Sequence, residues 1–282
     1  MEKKIVKMKY IATNNIRTLV DAIKMCIDNP QGLTEDDSYI WDIEYNNDEK
    51  MKHLVVFTGA GISEESGLPT FRGENGMWTN DEWTYLASKE ALYNETQRSL
   101  DFYNMRRKHL SEVKPNHAHM VLAELEKEYK VSIITQNVDD LHERAGSTNV
   151  LHLHGEMRKV TGSENPNNPK CIVEKPLEEP ILVGDKAADG SQLRPYVVLF
   201  GEYVTNMERA YRIAEEADIF VIIGTSLEVY PAANLKNVVP QTIPRYVIDP
   251  GEYNIYDFEH IKTTAVVGID ILKDRLKNNS CQ

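Results

Sequence analysis

The stretch from Leu54 to Gly73, LVVFTGAGISEESGLPTFRG, constrains the fold of this chain more than any other. Leu54–Phe57 is a short apolar run with β-branched residues, which predicts a buried strand. Gly59–Gly61 ends the run, and Ser63 begins a segment with the composition of a helix start. A strand, a glycine-rich turn and a helix N-terminus can bind phosphate, because free N–H groups and the helix dipole favour negative charge.

The spacing of the glycines leaves two interpretations of this stretch open. Gly59, Gly61 and Gly67 do not follow the GxGxxG pattern of dehydrogenases, and no acidic residue ends a second strand about 20 residues further on. A hydride-transferring dehydrogenase is therefore disfavoured. On its own, the stretch is equally consistent with an ordinary turn between a strand and a helix.

Three further apolar runs predict strands, and each ends in polar residues or glycine. The runs are Val131–Ile134, Ile219–Ile223 and Arg245–Ile248, and they are followed by TQNVDD, GTS and DP. Helical patterns lie between them, as at Asn206–Ala217. This alternation predicts an α/β fold with a Rossmann-like, doubly wound parallel sheet. Ligands of such sheets bind beyond the carboxyl ends of the strands, so the polar ends predict a nucleotide-like ligand.

Composition excludes several classes of protein. The 282 residues carry a net charge of −12, which argues against binding nucleic acid through the overall field. Three cysteines are too few for a disulfide framework and favour a reducing, cytoplasmic location. No signal-like apolar region follows Met1 and the apolar runs are strand-sized, so we expect neither a signal peptide nor a membrane partner.

The pattern along the chain predicts three regions. Residues 1–50 form an N-terminal helical extension, with apolar residues at helical spacing from Ile16 to Ile27. Residues 51–154 and 196–282 form the Rossmann-like domain. Residues 155–195 are rich in proline, asparagine and glycine, which predicts a small, loop-rich second subdomain inserted into it.

Six motifs occur together in one order along residues 54–249, and with them the chain resembles the sirtuin family of NAD-dependent protein lysine deacylases. The motifs are GAGISEESGLPTFRG from Gly59, PNHAH from Pro115, TQNVDDLHERAG from Thr135, LHG from Leu153, RPYVVLFGE from Arg194 and GTSLEVYPAA from Gly224.

The resemblance implies that the Rossmann-like domain binds NAD. It places Asn137 and Asp139 against the nicotinamide amide, Gln136 against the nicotinamide ribose, and Asp249 on the adenosine side. The cofactor-binding residues that it implies are Gly59, Ala60, Gly61, Thr70, Phe71, Arg72, Gln136, Asn137, Asp139, Gly224, Thr225, Ser226 and Asp249.

The resemblance also implies a substrate site and a reaction. Acylated lysine-containing proteins or peptides would bind as an added strand between Val198–Glu202 and Leu227–Val229. The substrate-binding residues implied are Tyr103, Arg106, Val198, Phe200, Gly201, Glu202 and Leu227. Nicotinamide would leave as the acyl oxygen attacks the ribose, and His154 would then remove a ribose hydroxyl proton as general base. The products would be free lysine, nicotinamide and O-acyl-ADP-ribose.

Two histidines, His152 and His154, compete for the role of base. A histidine at a strand end can equally have a structural role. His152, two residues before His154, is the second candidate for the base. The glycine that follows His154 and the family resemblance favour His154 as the base.

Tyr103 and Arg106 bear on which acyl group the protein would remove. They are three residues apart on a predicted helix and therefore share a face. FYNMRR, together with Thr70 in GLPTFRG, resembles the class of sirtuins that removes succinyl and related acidic acyl groups. An arginine side chain can form paired hydrogen bonds with the carboxylate of such an acyl group. The alternative is a solvated basic helix face, since Arg107 and Lys108 lie alongside.

The chain departs from many sirtuins in its cysteines. Many members bind a structural zinc through four cysteines in the small domain, whereas Cys171 is the only cysteine between Gly155 and Arg194. A tetrahedral thiolate site cannot be built from one cysteine, so we expect no zinc and no other metal. The alternatives to a deacylase are an NAD glycohydrolase or ADP-ribosyltransferase on the same fold, and a non-catalytic NAD sensor. The retained peptide motifs argue against the former, and the retained His154 against the latter.

Overall fold

The computed structural model describes residues 6–8, 43–45, 51–71, 77, 80–253 and 255–280. By its contacts the chain divides into two compact units, Met1–Met51 and Lys52–Gln282. In the first unit, strand β1 (Val6–Met8) pairs antiparallel with β2 (Ile43–Tyr45). The helix predicted between Ile16 and Ile27 lies outside the described residues.

A six-stranded parallel sheet forms the centre of the second unit. The strands of this unit are β3 (His53–Thr58), β4 (Lys130–Thr135), β5 (Val150–His152), β6 (Gly155–Gly162), β7 (Val173–Glu174), β8 (Leu193–Val197), β9 (Ile219–Ile223), β10 (Arg245–Ile248) and β11 (Glu259–Ile261). The central sheet has the order β11-β10-β9-β3-β4-β5, and every neighbouring pair is parallel. The predicted Rossmann-like α/β fold is therefore confirmed.

Strand β3 shows why its sequence is continuously apolar instead of alternating. Leu54 and Val56 belong to the core on one face of the sheet, and Val55 and Phe57 belong to the core on the other; all four are 0% exposed. Parallel sheets are covered by helices on both faces, so both sets of side chains must be apolar.

Helices cover the two faces of the sheet and connect its strands. They are α1 (Gly61–Glu64), α2 (Asp81–Leu86), α3 (Lys89–Asn94), α4 (Thr96–Glu112), α5 (His117–Glu124), α6 (Leu141–Ala145), α7 (Met207–Glu215), α8 (Leu235–Val238) and α9 (Ala265–Ser280). Helix α5 begins after an N-cap, because the Asn116 side chain accepts the Ala118 N–H at 3.0 Å. In the part of the chain that is described, no helix is both long and apolar enough to cross a bilayer.

A second, three-stranded antiparallel sheet occupies the region predicted to be a loop-rich insert. Its order is β7-β6-β8. Met157 and Val197 of this sheet share one hydrophobic core with Leu100 and Phe102 of α4. Helix α4, which the sequence assigns to the Rossmann-like domain, thus packs with the insert. The domain boundaries at residues 155 and 196 stay a prediction.

Candidate active site

The carboxyl ends of the parallel strands meet at one edge of the sheet, and a cavity of about 930 Å³ opens there. This volume lies in the range of small-molecule and cofactor sites, roughly 300–1,000 Å³. Every predicted site residue in the described part of the chain lines this cavity, except Asp139, which lines an adjoining cavity of about 290 Å³. Arg72 lies outside the described residues.

The glycines at the end of β3 are required by chain packing. The Gly59 N–H donates to the Ile223 carbonyl at 2.9 Å, and the Gly61 N–H donates to the Gly224 carbonyl at 2.9 Å. A Cβ on Gly61 would lie 2.7 Å from the Gly224 Cα, which real Cβ atoms essentially never show. The turns after β3 and β9 therefore touch through backbone atoms. Helix α1, only four residues long, follows immediately.

Asn137 follows β4 and is held by the turn after β3. Its side-chain Nδ2 donates to the Gly59 carbonyl at 3.1 Å and to Ser63 Oγ at 3.2 Å. Asn137 Oδ1 is buried and has no hydrogen-bond partner in the described chain. A buried carbonyl oxygen without a donor is costly unless a ligand supplies one. The primary amide of nicotinamide carries such donors, so Asn137 fits NAD.

Asp139 is held in the same cluster. Its carboxylate accepts the Ser63 hydroxyl at 3.1 Å and the Leu141 N–H at 3.2 Å. Burial raises the pKa of Asp139, and these two hydrogen bonds act in the opposite direction.

Gln136 presents hydrogen-bond donors to the cavity. Its Oε1 accepts the Thr225 hydroxyl at 2.7 Å, which ties the end of β4 to the end of β9. The Nε2 of Gln136 has no partner among the described residues, and Gln136 lines the large cavity. A side-chain amide with free N–H groups suits the hydroxyl oxygens of a ribose.

His154 has the geometry of a general base. Its Nδ1 lies 2.9 Å from the Gln136 carbonyl, which can only accept, so Nδ1 carries the proton and Nε2 is left as a base. Burial lowers the pKa of His154, and the hydrogen bond to Gln136 partly opposes this shift. The imidazole is therefore mostly neutral at neutral pH and able to take a proton.

His152 differs from His154 because both of its ring nitrogens are occupied. Nδ1 lies 2.9 Å from the Asn137 carbonyl, and Nε2 lies 2.8 Å from Glu143 Oε1. Burial would lower the pKa of His152, but the hydrogen bond and charge of Glu143 outweigh it and raise the pKa. His152 therefore supports the loop after β4.

A buried polar network behind Asn137 was not found from the sequence. Ser63 Oγ contacts Asn137, Asp139 and His119 Nε2, the last at 3.4 Å. Burial lowers the pKa of His119 to about 4, so the ring stays neutral. The sequence marks Ser63 only as part of a helix start. His119 is buried, whereas His117, two residues before it on α5, is exposed.

Tyr103 and Arg106 lie on one face of α4 and line the large cavity, as their spacing predicts. The Arg106 guanidinium stacks on Phe71 at 5.3 Å and on Phe102 at 5.6 Å. Within residues 51–71, 77, 80–253 and 255–278, no carboxylate forms an ion pair with Arg106, and burial lowers its pKa. Burial also raises the pKa of Tyr103 to about 12. An unpaired, partly desolvated guanidinium is suited to an anionic ligand group.

The two predicted peptide-binding segments face the same cavity. Phe200 already uses its backbone, because its N–H donates to the Ala87 carbonyl and its carbonyl accepts the Lys89 N–H, both at 3.0 Å. Phe200 can therefore contribute its side chain, which is 45% exposed, to a bound peptide. Its backbone already pairs with Ala87 and Lys89 and does not extend the peptide's strand pairing. Leu227 has a φ of +56°, which is unfavourable for a bulky residue, and its N–H donates to Thr225 Oγ1 at 3.3 Å.

The pattern of the Sir2 family matches residues 59–231, which include most of the residues that line this cavity. The chain belongs to the Sir2 family. This sirtuin is 51% identical to an NAD-dependent protein deacylase of Bacteroides thetaiotaomicron over 230 residues, which cover 80% of this chain and 98% of the relative. An NAD-dependent protein deacylase of Helicobacter pylori is 46% identical and covers 79% of this chain and 96% of its own length.

Solved structures agree with the fold of this sirtuin. A Sir2 homologue in complex with NAD superimposes with a TM-score of 0.69 at 38% identity and covers 82% of this chain and 91% of its own. A Sir2–p53 peptide–NAD⁺ complex superimposes with a TM-score of 0.64 at 27% identity and covers 80% and 94%.

Proposed function

We propose that this sirtuin removes acyl groups from lysine side chains of proteins, with NAD as cosubstrate. The observation that carries the proposal is that two unoccupied groups share one cavity. His154 keeps a free Nε2, and the Asn137 Oδ1 has no hydrogen-bond donor in the described chain. A base and an amide-binding group in one cavity are what nicotinamide release followed by ribose deprotonation requires. The solved NAD and peptide complexes of Sir2 proteins support it.

Each group of this chain has a separate task in the reaction. Asn137 and Asp139 hold the nicotinamide amide, and Gln136 holds the adjoining ribose through its free N–H groups. Val198–Glu202 and Leu227–Val229 position the acylated peptide so that its acyl oxygen lies in line with the breaking bond, which can supply several orders of magnitude in rate. His154 Nε2 then accepts a ribose hydroxyl proton.

A product analysis tests this function. The protein is incubated with NAD and matched acetyl- and succinyl-lysine peptides, and the products are identified by mass spectrometry. We expect deacylated peptide, nicotinamide and O-acyl-ADP-ribose in equal amounts. Free ADP-ribose without change in the peptide would contradict the proposal and indicate an NAD glycohydrolase, whereas NAD binding without turnover would indicate a sensor.

We further propose that acidic acyl groups such as succinyl are preferred. The support is Arg106, which lines the cavity on α4 beside Tyr103 and lacks a carboxylate partner in the described chain. A charge-assisted hydrogen bond contributes roughly 1.5–3 kcal/mol, about ten- to a hundredfold in preference.

Replacement of Arg106 tests the acyl preference. Arg106→Met should lower kcat/KM for a succinyl peptide by about ten- to a hundredfold and affect an acetyl peptide much less. Arg106→Lys is the matched control; it keeps the charge without the planar fork and should recover only part of the activity. Equal losses on both peptides would show that Arg106 has a general structural role.

We also propose that the small sheet is stable without zinc. Cys171 is the only cysteine in residues 155–195, so the residues present do not fit a tetrathiolate site. Hydrogen bonds from α4 support the region instead: Asn104 pairs with both backbone groups of Ile181 at 2.9 Å, and Arg107 donates to the Pro176 carbonyl at 2.7 Å.

A cluster formed by Glu143 of α6, His152 of β5 and Glu156 of β6 has metal-binding residue types. Ligand atoms of Glu143, His152 and Glu156 lie within 4.8 Å of one another. Glu143 and His152 already bond each other, and Glu156 pairs with Lys159 at 2.5 Å. We expect a strong chelator to leave the melting temperature unchanged; one equivalent of zinc in elemental analysis would contradict a zinc-free protein.

We propose a cytoplasmic location on the basis of the low cysteine content. Cell fractionation with an antibody against the protein tests it, and recovery in a secreted or membrane fraction would contradict it.

A further inference from the structure

A fully buried arginine, Arg194, lies on β8 just before the segment to which the proposed function assigns the acylated peptide, residues 198–202. The Arg194 side chain is 1% exposed. It is not among the described residues that line the large cavity, whereas Val198 and Glu202 are. Its Nη2 donates to Glu202 Oε2 at 3.0 Å. Arg194 therefore stands behind the peptide-binding segment and is bonded to it through the Glu202 side chain.

Residues 199–202 form a tight turn that Glu202 closes twice. The Glu202 N–H donates to the Leu199 carbonyl at 3.0 Å, and Glu202 Oε2 accepts the Leu199 N–H at 2.9 Å. Gly201 has a φ of +91°, which the third position of such a turn requires and which glycine adopts without strain. The carboxylate oxygen that Arg194 holds is thus the same atom that fixes the turn.

The rest of the segment is anchored through its backbone. The Val198 N–H donates to the His154 carbonyl at 2.8 Å, and Phe200 pairs with the junction of α2 and α3. The Val198 carbonyl and the Gly201 N–H have no hydrogen-bond partner among the described residues, so a peptide strand in the cavity can pair with them. The direction of the Gly201 N–H depends on the turn that Glu202 closes.

Arg194 is poorly suited to be a general support of the fold. Its Nε and Nη1 are buried and have no hydrogen-bond partner in the described chain. Arg107, which is also fully buried, instead donates to three backbone carbonyls. A buried ion pair whose remaining donors are unsatisfied contributes little net stability, because the desolvation of the charges opposes their attraction. The contact with Glu202 is therefore the one for which Arg194 is placed.

We propose that Arg194 is a positioning residue for the acylated peptide: through Glu202 it holds the turn at residues 199–202 in the shape that binds the peptide. Without Arg194, the Glu202 carboxylate, 15% exposed, has no cation and turns towards water, and the turn loses one of its closing bonds. The turn then samples other conformations, and the apparent affinity for the peptide falls with the fraction that remains competent. The inference rests on the peptide site of the proposed function.

The test measures peptide binding and turnover separately on the full-length protein. Binding of a fluorescent acyl-lysine peptide is followed by anisotropy without NAD, and NAD binding is measured by calorimetry. Arg194→Met should weaken peptide binding and raise the KM for the peptide by about tenfold or more, because a charge-assisted hydrogen bond is lost. Both kcat and the affinity for NAD should stay within about twofold, because the competent fraction affects the peptide alone.

Two further variants separate positioning from other effects. Arg194→Lys keeps a charged donor on the same strand, and it should restore most of the peptide affinity because Arg194 bonds through Nη2 alone in the described chain. Arg158→Met is the matched control. Arg158 of β6 pairs with Glu174 of β7 in the same sheet, away from the peptide-binding segment, and this partly exposed pair should leave peptide binding within about twofold.

A double variant keeps the test decisive if Arg194→Met alone does not fold. Arg194→Met with Glu202→Gln removes both charges, and the replacement of both members of a buried pair is often neutral for stability. The glutamine oxygen can still accept the Leu199 N–H but has no cation to orient it. We expect normal thermal melting and peptide binding that is weaker by about threefold or more.

Two results would overturn the inference: wild-type peptide affinity in the folded Arg194 variants, or equal losses of peptide and NAD affinity in them, which would indicate a general structural role. Peptide binding is measured without turnover. Binding that depends on Arg194 in a protein that fails to deacylate peptides would therefore support Arg194 while contradicting the proposed function. Normal deacylation with an unchanged KM in Arg194→Met would contradict this inference alone.

Discussion

Replacement of His154 by alanine should separate two steps of the reaction. In the proposed reaction His154 acts only after nicotinamide has left, so its loss should prevent product formation but spare the exchange of free nicotinamide into NAD. A positioned general base contributes about 10²- to 10⁴-fold in rate, which corresponds to about 2.7–5.4 kcal/mol of barrier. We expect kcat/KM for deacylation to fall by that factor.

The structure indicates that this variant will fold. His154 is half-buried and its ring makes one hydrogen bond, from Nδ1–H to the Gln136 carbonyl at 2.9 Å. A hydrogen bond of this kind contributes about 0.5–1.5 kcal/mol net, a small part of a typical unfolding free energy of about 5–15 kcal/mol. The activity loss should therefore reflect chemistry.

The assay measures both steps on the same preparation. Isotope-labelled nicotinamide exchange into NAD is followed in the presence of acylated peptide, and deacylated peptide is quantified by mass spectrometry. In the wild type, the acid limb of kcat/KM should have its midpoint below pH 6.5, because burial lowers the pKa of His154 and keeps the base form to lower pH. Full deacylation by His154→Ala, or equal losses of exchange and deacylation, would refute the assignment.

Three further predictions concern the scaffold of the site. Gly61→Ala should destabilise the protein and abolish NAD binding, because its Cβ would lie 2.7 Å from the Gly224 Cα; normal melting and binding would contradict this. Arg107→Met should lower the unfolding free energy in urea by about 3 kcal/mol, because the fully buried guanidinium donates to three backbone carbonyls. The unfolding free energy should also fall as pH drops from 6.5 towards 4, by about 3 kcal/mol from His119 alone, since its pKa is about 4 when folded and the unfolded chain binds the proton first. His119→Gln should flatten that slope, and an unchanged slope would contradict the assignment.

Local signals in the sequence located most elements of the central sheet. The predicted strands Ile219–Ile223 and Arg245–Ile248 have the observed bounds. Each is rich in β-branched and aromatic residues and is followed by polar residues or glycine. Such signals depend only on residues that are close in the sequence, so they can be recognised without the tertiary structure.

Short strands carried too little signal to be predicted. β5 and β11 have three residues each and β7 has two, so no alternation or apolar run can distinguish them. Their backbone groups pair only because longer strands already stand beside them. The second sheet was missed for another reason: β6 and β8, with eight and five residues, lie at the two ends of a region rich in proline, asparagine and glycine that reads as loop. The packing of α4 against this sheet was missed with it.

The motif LHLHG, residues 151–155, illustrates what the sequence and the tertiary structure each determined. By itself the sequence supplied two histidines at a strand end and, through Gly59 and Asn137, the chemistry of an NAD site. Only the tertiary structure shows which of the two rings keeps a free nitrogen that could accept a proton. Glu143, nine residues before His152, occupies the Nε2 of that ring, whereas the ring of His154 bonds only the Gln136 carbonyl and keeps its Nε2 free. The proton position of an imidazole is set by its hydrogen-bond partners in space, and here those partners come from the segment that follows another strand, β4.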